Sequence, residues 1–292
     1  MPELPEVQAL VTDLGGRMIG RVVDRVDVVA FSALKTYDPP LSALAGGVIR
    51  SVARHGKFLD LGIETTTSET LHLVIHLARA GWIRWRAAAP SPLTGPRGRN
   101  PLAARLVLDD GSGLDITEAG TKKSLSISLV RDPAEVPGVA RLGPDPLSPE
   151  FTEEAFAGIL RAAGRAQLKG VLRNQGVIAG IGNAYSDEIL HVAKMSPFKP
   201  AEMPPDDVAR LYAALRSTLL EALDRADGLA ASELKAEKKS NLRVHGRYGE
   251  ACPVCGDTIR QVIYADSTFQ YCPTCQTGGK PLADRVLSRL LK

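Results

Sequence analysis

The stretch that decides the fold stands at the start of the chain, MPELPEVQALVTDL, residues 1–14. Its apolar residues recur at helical spacing, which predicts an amphipathic helix. Pro5 suits the first turn of that helix, because a proline there lacks only an N–H that would have no partner within the helix. The apolar positions are Val7, Leu10, Val11 and Leu14. Pro2 and Glu3 therefore stand just before a helix N-terminus.

The next part of the chain is rich in β-forming residues. Four such segments cover residues 22–29, 47–63, 71–85 and 102–116. The cluster Asp110-Gly111-Ser112-Gly113 inside the last segment is typical of a hairpin turn. Residues 87–100 are expected to form a loop. We therefore predict one β-rich domain with a leading helix over residues 1–143.

Beyond the turn-forming segment 142–147 the pattern becomes helical. Thr152, followed by Glu153 and Glu154, is typical of a helix start. A long amphipathic helix is expected over residues 206–226. We predict a helical domain over residues 144–228 and a last region over 229–292, which begins with a charged stretch and contains all four cysteines.

Composition and charge limit the function classes. The chain has 292 residues and a formal net charge of +3, and residues 229–292 hold ten Lys and Arg against six Asp and Glu. A basic module fits a polyanionic partner, most often nucleic acid, although a solvated basic face is an equally simple interpretation. No apolar run is long enough to span a bilayer, and the start does not resemble a signal peptide. The expectation is a cytoplasmic monomer that does not bind a membrane.

The cysteines have the spacing of a metal site. Cys252-Pro-Val-Cys255 is followed by sixteen residues and then Cys272-Pro-Thr-Cys275. Two CxxC turns supply four thiolates for one tetrahedral Zn²⁺, and a site closed by four protein ligands is structural. The alternative, thiol redox chemistry, needs one CxxC on a thioredoxin-like element and does not explain a matched pair. The sequence predicts one structural zinc in a hairpin module.

Four motifs occur in one order along nearly the whole chain: the N-terminal heptapeptide of residues 1–7, His-Gly-Lys-Phe-Leu at 55–59, Gly-Ile-Gly-Asn at 180–183, and the four-cysteine finger. In this combination the chain resembles the formamidopyrimidine-DNA glycosylase/endonuclease VIII family, and its start is similar to the formamidopyrimidine branch. The resemblance implies an α+β fold with a catalytic N-terminal β-sandwich, a helix–two-turn–helix DNA-binding domain and a C-terminal zinc finger. It also implies double-stranded damaged DNA as the partner.

The chemistry expected of Pro2 agrees with this resemblance. Removal of Met1 would leave a secondary amine, and an α-amino group has a pKa about two units below that of lysine, so part of it is neutral near pH 7. A nearby helix N-terminus favours the neutral form further. Such an amine can attack C1′ of a damaged nucleotide, expel the base and leave a Schiff base, after which the strand is cut by elimination.

Three further residues at or near this site carry expected roles. Glu3 could protonate the sugar ring oxygen, although a glutamate there also simply favours the helix start. Glu6 is a candidate for a supporting carboxylate, with a helix-surface carboxylate as the alternative. Lys57 matches the family's lysine on a strand turn near the active site, where it contacts the phosphate flanking the lesion; the alternative is an ordinary strand-end lysine.

The resemblance also marks residues expected to contact DNA. Asn183 closes the 180–183 loop and is expected to cap a helix over 184–194 whose backbone N–H groups bind phosphate. His76 precedes the position where the family usually has a wedging methionine, and Arg79 stands at that position here. Lys122 and Lys123 occupy a hairpin that normally supplies two further gap-filling residues, an arginine and a phenylalanine.

Two more departures affect substrate recognition. The arginine that the family usually presents on the finger hairpin corresponds to Ser267, with Arg260 and Lys280 as candidate substitutes. Residues 230–243 do not match the family's usual base-capping segment. The missing finger arginine weakens the case for strand cutting and for tight lesion binding. The changed capping segment predicts a more open pocket than one built for 8-oxoguanine.

Three hypotheses follow. The first is a bifunctional DNA glycosylase/lyase with Pro2 as nucleophile, Glu3 as acid/base and Lys57 as a positioning cation. The second is a damaged-DNA-binding protein on the same scaffold with weak or no base excision. The third, a zinc-ribbon RNA-binding or transcription factor, leaves the N-terminal motif without a role.

Overall fold

The structure, a computed structural model, describes residues 1–90, 101–263 and 268–282. The chain forms two compact units. Unit 1 comprises residues 1–142 and 226–235, and unit 2 comprises residues 143–225 and 236–292. The expected division into three domains, with boundaries at 143 and 228, stays a prediction.

Unit 1 is a β-sandwich, as predicted, and its first sheet has the strand order β1-β6-β7-β5. The second sheet has the order β2-β3-β4-β8, and every neighbouring pair is antiparallel. The strands are β1 (Val23–Val28), β2 (Val48–His55), β3 (Phe58–Glu64), β4 (Thr70–His76), β5 (Gly81–Arg86), β6 (Leu102–Leu108), β7 (Gly113–Glu118) and β8 (Ser126–Val130). Apolar side chains from both sheets share one core. The predicted turn at 110–113 joins β6 to β7.

The leading helix α1 spans Leu4–Met18, as the sequence predicts. Glu3 is its N-cap, and Glu3 and Glu6 form a capping box. In such a box each residue satisfies a backbone N–H that the helix itself leaves unpaired. Leu10, Leu14 and Met18 are fully buried in the sandwich core. The start of α1 is therefore fixed both by its cap and by the apolar face that follows.

Unit 2 is mainly helical. After the short α2 (Pro137–Ala140) of unit 1, the helices are α3 (Glu153–Ala163), α4 (Leu168–Arg173), α5 (Asn183–Val192), α6 (Pro205–Ala226) and α7 (Leu234–Asn241). The hydroxyl of Thr152 accepts the Ala155 N–H at 3.1 Å, which confirms the expected start of α3. The unit boundary falls inside α7, between Lys235 and Ala236. Residues 230–243 thus contain a short helix.

The cysteine-bearing part of unit 2 contains a two-stranded antiparallel hairpin. Its strands are β9 (Arg260–Ile263) and β10 (Thr268–Tyr271), and α8 (Pro273–Thr277) follows. Gly256 and Gly278 have φ values of +78° and +61°, which only glycine adopts easily, so they form the tight turns after each cysteine pair. Among the described residues no helix is both long and apolar enough to cross a bilayer.

Candidate active site and metal centre

The residues just before α1 are held firmly in place. Pro2 is buried, whereas Met1 is 48 % exposed. Glu3 and Glu6 are 2 % and 4 % exposed, and the Glu6 carboxylate accepts the backbone N–H of Glu3 at 2.8 Å. The interpretation of Glu6 as a surface carboxylate is therefore wrong. Glu6 instead fixes the backbone immediately after Pro2.

Lys57 lies on the tight turn between β2 and β3. His55 and Phe58 pair across the two strands, so Gly56 and Lys57 form a two-residue turn, with Gly56 at φ +55°. Lys57 is only 7 % exposed. A solvated strand-end lysine would be mostly exposed, so this burial favours a specific environment for Lys57 over the alternative of an ordinary strand-end lysine.

His76 lies beside this turn at the end of β4. It pairs with Phe58 across β3 and β4, and the two rings are in contact, tilted by 36° with centroids 4.6 Å apart. Burial, together with the nearby charge of Lys57, lowers the pKa of His76 from 6.5 to about 4. His76 is therefore neutral at pH 7, and the structure brings it together with Lys57.

This arrangement predicts how His76 titrates. We expect its pKa to lie near 4 by NMR and to rise in Lys57→Gln, while staying below 6.5 because burial is the larger cause. Since His76 binds its proton more weakly in the fold than when unfolded, its contribution to stability is lost as the pH falls from about 6.5 to about 4. Lys35→Gln, in a loop of the same unit, is the control. A His76 pKa near 6.5 in the wild type would refute this placement.

The other two DNA-contact candidates of unit 1 lie on loops. Arg79 is exposed in the connection between β4 and β5, next to Ala78, whose φ is +48°. Lys122 is exposed after β7. The carboxylate of Glu118 accepts the backbone N–H groups of residues 124 and 125 at 2.7 and 2.9 Å, and Lys123 donates to the Glu118 carbonyl at 2.7 Å. Glu118 thus shapes the loop that presents Lys122.

Asn183 has a different place from the one expected. The helix begins at Asn183 and its N-cap is Gly182, so Asn183 is not the capping residue. Its side-chain amide instead donates to the carbonyl of Thr268 at 2.6 Å, which ties the start of α5 to β10. The prediction failed because the loop ends at Gly182, one residue earlier than expected, so that Asn183 is already the first residue of the helix. Gln175 holds that loop by bonds to Gly180 and Ile181.

Sequence reasoning missed a buried polar network behind Asn183. Lys169, 4 % exposed, donates to Asp187 at 2.5 Å and to the hydroxyl of Ser186 at 2.8 Å. The other oxygen of Asp187 contacts His245 Nδ1 at 2.7 Å and accepts the Gln270 N–H at 3.1 Å. The available signal was the run Ser-Asp-Glu at 186–188, inside a helix whose neighbouring residues are apolar. This network joins α4, α5 and the finger hairpin.

Glu188 fixes the segment that follows α7. Its carboxylate accepts the backbone N–H groups of Arg243, Val244 and His245 at 2.7, 3.0 and 2.9 Å. Burial raises the pKa of Glu188, while these three hydrogen bonds act against the rise. The segment leading into the first cysteine pair is therefore anchored on α5.

Breaking the buried ion pair of this network is expected to be costly. Asp187→Asn leaves the Lys169 ammonium buried without its counter-charge, which should lower the free energy of unfolding by about 3–5 kcal/mol in denaturant titration. Asp207→Asn is the matched control, since Asp207 pairs at the surface with Lys199 and Arg210 and should cost no more than about 1 kcal/mol. Equal losses in the two variants would contradict this account.

The four cysteines form the expected metal centre. Their sulfur atoms all lie within 4.8 Å of one another, with Cys252–Cys275 at 3.9 Å and Cys255–Cys272 at 3.4 Å. Four sulfurs at about 2.3 Å from a tetrahedral Zn²⁺ are about 3.8 Å apart, so the cluster fits zinc. His191 Nε2 lies 3.3 Å from the Cys252 sulfur, where an N–H would support a thiolate. These four cysteines hold one structural Zn²⁺.

The substitutes considered for the finger arginine are on the surface. Arg260 is exposed on β9 and Lys280 is exposed after α8. Ser267 lies outside the described residues, as does most of the loop expected at 87–100.

In the segment 230–243, Lys235 lies 4.4 Å from the ring centroid of Trp82 within unit 1, and Lys238 lies 4.5 Å from that of Tyr185 within unit 2. Two of its lysines are therefore stacked on aromatic rings.

Comparison with known proteins gives one consistent result. The family model of the formamidopyrimidine-DNA glycosylase N-terminal domain matches residues 1–121, and that of the formamidopyrimidine-DNA glycosylase H2TH domain matches residues 142–233. The chain is 35 % identical to the formamidopyrimidine-DNA glycosylase of Symbiobacterium thermophilum, over 94 % of this chain and 89 % of the relative.

Solved structures agree over the same length. The MutM (Fpg) protein of Thermus thermophilus is 31 % identical with a TM-score of 0.77, covering 96 % of this chain and 100 % of its own. A Lactococcus lactis Fpg complex with DNA containing an abasic site is 26 % identical with a TM-score of 0.79, covering 94 % and 99 %. This chain therefore belongs to the class of proteins that combine a β-sandwich with an H2TH domain and a zinc finger. The chain belongs to the formamidopyrimidine-DNA glycosylase family.

Proposed function

We propose that this protein is a DNA repair glycosylase that removes damaged bases from double-stranded DNA and then cuts the strand, using the Pro2 nitrogen as nucleophile. Membership of the family, at about a third sequence identity across the chain, establishes the DNA glycosylase/AP lyase class. The observation that supports the site is local. Pro2 is followed by two buried carboxylates, Glu3 at the next position and Glu6 three residues later, which form the capping box of α1.

The chemistry starts at the amine that Met1 removal would free. Its lone pair attacks C1′ of the damaged nucleotide, the glycosidic bond breaks, and the base leaves with a proton. Opening of the sugar ring, with Glu3 delivering a proton to the ring oxygen, gives a Schiff base between C1′ and the Pro2 nitrogen. The Glu3 carboxylate left by ring opening then takes the C2′ proton, the C3′–O bond breaks, and the 3′ phosphate leaves with the electron pair. Water releases the sugar remnant and restores the amine.

Lys57 and Glu6 support this step in different ways. Lys57 is a nearly buried cation on a rigid turn, which suits contact with a phosphate next to the lesion. Glu6 does not reach the substrate in this proposal; its hydrogen bond to the Glu3 N–H keeps the backbone after the nucleophile from moving. Orientation of this kind accounts for a large share of enzymatic rate enhancement.

Unit 2 is proposed to bind the duplex. The N-terminus of α5 favours phosphate because its first backbone N–H groups and its dipole face outward from the helix end. Asn183 acts by joining that end to the finger hairpin, and exposed Arg260 and Lys280 supply positive charge. Arg79, Lys122 and His76 are proposed as the contacts of unit 1. One copy of the chain holds every group named, so we propose a monomer acting on DNA in the cytoplasm, at the nucleoid.

A second candidate is a protein that recognises damaged DNA on this scaffold and excises bases weakly or not at all. It is favoured by Arg79, an exposed cation on the loop where the family usually places an apolar wedge. The loop shaped by Glu118 likewise presents Lys122 where an arginine and a phenylalanine are usual. Both changes favour phosphate contact over filling the gap left by an everted base.

The two candidates separate in one experiment. The zinc-loaded protein is incubated with duplexes that carry an abasic site, 8-oxoguanine, a formamidopyrimidine or an oxidised pyrimidine, and each sample is split. One half is run on a denaturing gel to detect strand cuts, and the other on a native gel to detect binding. The glycosylase/lyase proposal expects cuts at one or more lesions and none in undamaged duplex. Retardation of damaged duplex with no cut at any lesion would establish the second candidate.

A further inference from the structure

Arg54 links the two elements that carry the proposed catalytic residues. It stands on β2, two residues before the turn of Gly56 and Lys57. Its Nε donates to the side-chain oxygen of Gln8 on α1 at 3.1 Å, and its Nη1 donates to the Gly56 carbonyl at 3.1 Å. One planar guanidinium group therefore holds the leading helix and the Lys57 turn at the same time.

The two anchor points are close to the chemistry in sequence and in structure. Gln8 lies little more than one helical turn beyond the Glu3 cap, so its position reports directly on the segment that begins with Pro2. Gly56 is the first residue of the turn, and its carbonyl belongs to the peptide group that leads into Lys57. A movement of either anchor changes where the amine and the ammonium stand relative to each other.

A second brace holds the same hairpin from the sheet side. His55 Nε2 lies 3.0 Å from Asp60 on β3, and Asp60 also contacts His72 Nδ1 on β4 at 3.0 Å. Asp60 is 3 % exposed, whereas the side chains of His55 and His72 are 33 % and 22 % exposed. We therefore expect the hairpin to keep its fold without Arg54, whose bond to Gln8 adds a connection to α1.

We propose that Arg54 is a positioning residue that sets the place of Lys57 relative to the Pro2 nitrogen. The inference rests on the proposed function above, because it assigns Arg54 a role through those two residues and no contact of its own with DNA. A lysine at position 54 has one compact charged group and no planar fork, so it cannot reproduce the two bonds in the same geometry.

The kinetic test uses single-turnover strand cutting on a duplex with an abasic site. We expect Arg54→Ala to lower the rate by about 10- to 100-fold, the loss typical of a displaced catalytic group, with duplex affinity unchanged within about threefold. Gln8→Ala should cause part of this loss, and the double variant should be no slower than Arg54→Ala alone. The cutting rate of Arg54→Lys should lie between those of Arg54→Ala and the wild type. Arg50→Ala is the control, since exposed Arg50 is on the same strand and pairs with half-buried Glu64.

A readout that needs no activity separates the inference from the proposed function. Lys57 is one of the two causes of the low pKa of His76, so displacing Lys57 should raise that pKa in Arg54→Ala, as in Lys57→Gln, and not in Arg50→Ala. If the wild type cuts no duplex, the proposed function is refuted. The His76 pKa then tests by itself whether Arg54 positions Lys57. An unchanged His76 pKa in Arg54→Ala, or an unchanged cutting rate beside an active wild type, overturns the role of Arg54. If Arg54→Ala does not fold, Gln8→Ala takes its place in both measurements.

Discussion

Pro2→Gly is expected to cut a duplex with an abasic site about 100-fold or more slowly than the wild type while binding it equally well. The substitution replaces a secondary amine, whose nitrogen is held in the pyrrolidine ring, with a primary amine that rotates freely about its bond to Cα. The glycine variant still has an amine nitrogen at this position, so the fall in rate measures how reactive and how well oriented the nucleophile is. Single-turnover rates on denaturing gels and affinities from native gels give the two quantities.

Pro5→Ala is the matched control for this variant. Pro5 is a buried proline three residues further on, in the first turn of α1, and has no proposed part in the chemistry. Its replacement should leave the cutting rate within about threefold of the wild type, since alanine also suits a helix. An equal loss of activity in both variants would show that the helix start matters and that the Pro2 nitrogen does not.

Cys272→Ser is expected to abolish zinc binding and weaken duplex binding by about 100-fold or more. Cys272 is fully buried and its sulfur lies 3.4 Å from that of Cys255. Its replacement therefore removes one of the four thiolate ligands of the zinc. Structural zinc contributes about 10–16 kcal/mol to the folding of small zinc modules. The hairpin of β9 and β10, which receives the amide of Asn183, would then lose its support. Metal content by mass spectrometry and native gels give both results.

The control for the metal site is Thr274→Ala. Thr274 lies between the last two cysteines and its hydroxyl donates to half-buried Asp257 at 2.8 Å, so its loss should leave one zinc per chain and nearly normal binding. Duplex binding that disappears from Cys272→Ser while its zinc content stays at one per chain would contradict a structural role for the metal.

Local patterns predicted much of the fold. The spacing of Leu10 and Leu14 and the place of Pro5 were enough to place α1, because burial of one helix face and the chemistry of the first turn are both properties of neighbouring residues. The same holds for the turn at 110–113 and the four cysteines. β8 was missed: its alternation covers only Ser126–Val130, and its pairing partner β4 lies about fifty residues away in sequence.

Motifs in the sequence supply the residues of the proposed site, but not the contacts that these residues make. Pro2, Glu3 and Lys57 follow from motifs, whereas the burial of Glu6 depends on how α1 packs on the sandwich. The place of Asn183 depends on where the loop before α5 ends. Pairs such as Lys169 with Asp187 and Arg54 with Gln8 join residues 18 and 46 positions apart, and no local pattern records them. Long-range polar contacts were therefore the part that only the structure provides.

The central claim is that the Pro2 nitrogen forms a covalent bond to the sugar of a damaged nucleotide. The most direct measurement is borohydride reduction of the wild-type protein on a duplex with an abasic site, followed by protease digestion and mass spectrometry of the trapped peptide. The account predicts one adduct, on the peptide that begins with Pro2 and with Met1 absent. Duplex that is retarded in a native gel yet gives no adduct, or an adduct on a lysine such as Lys57, would contradict it.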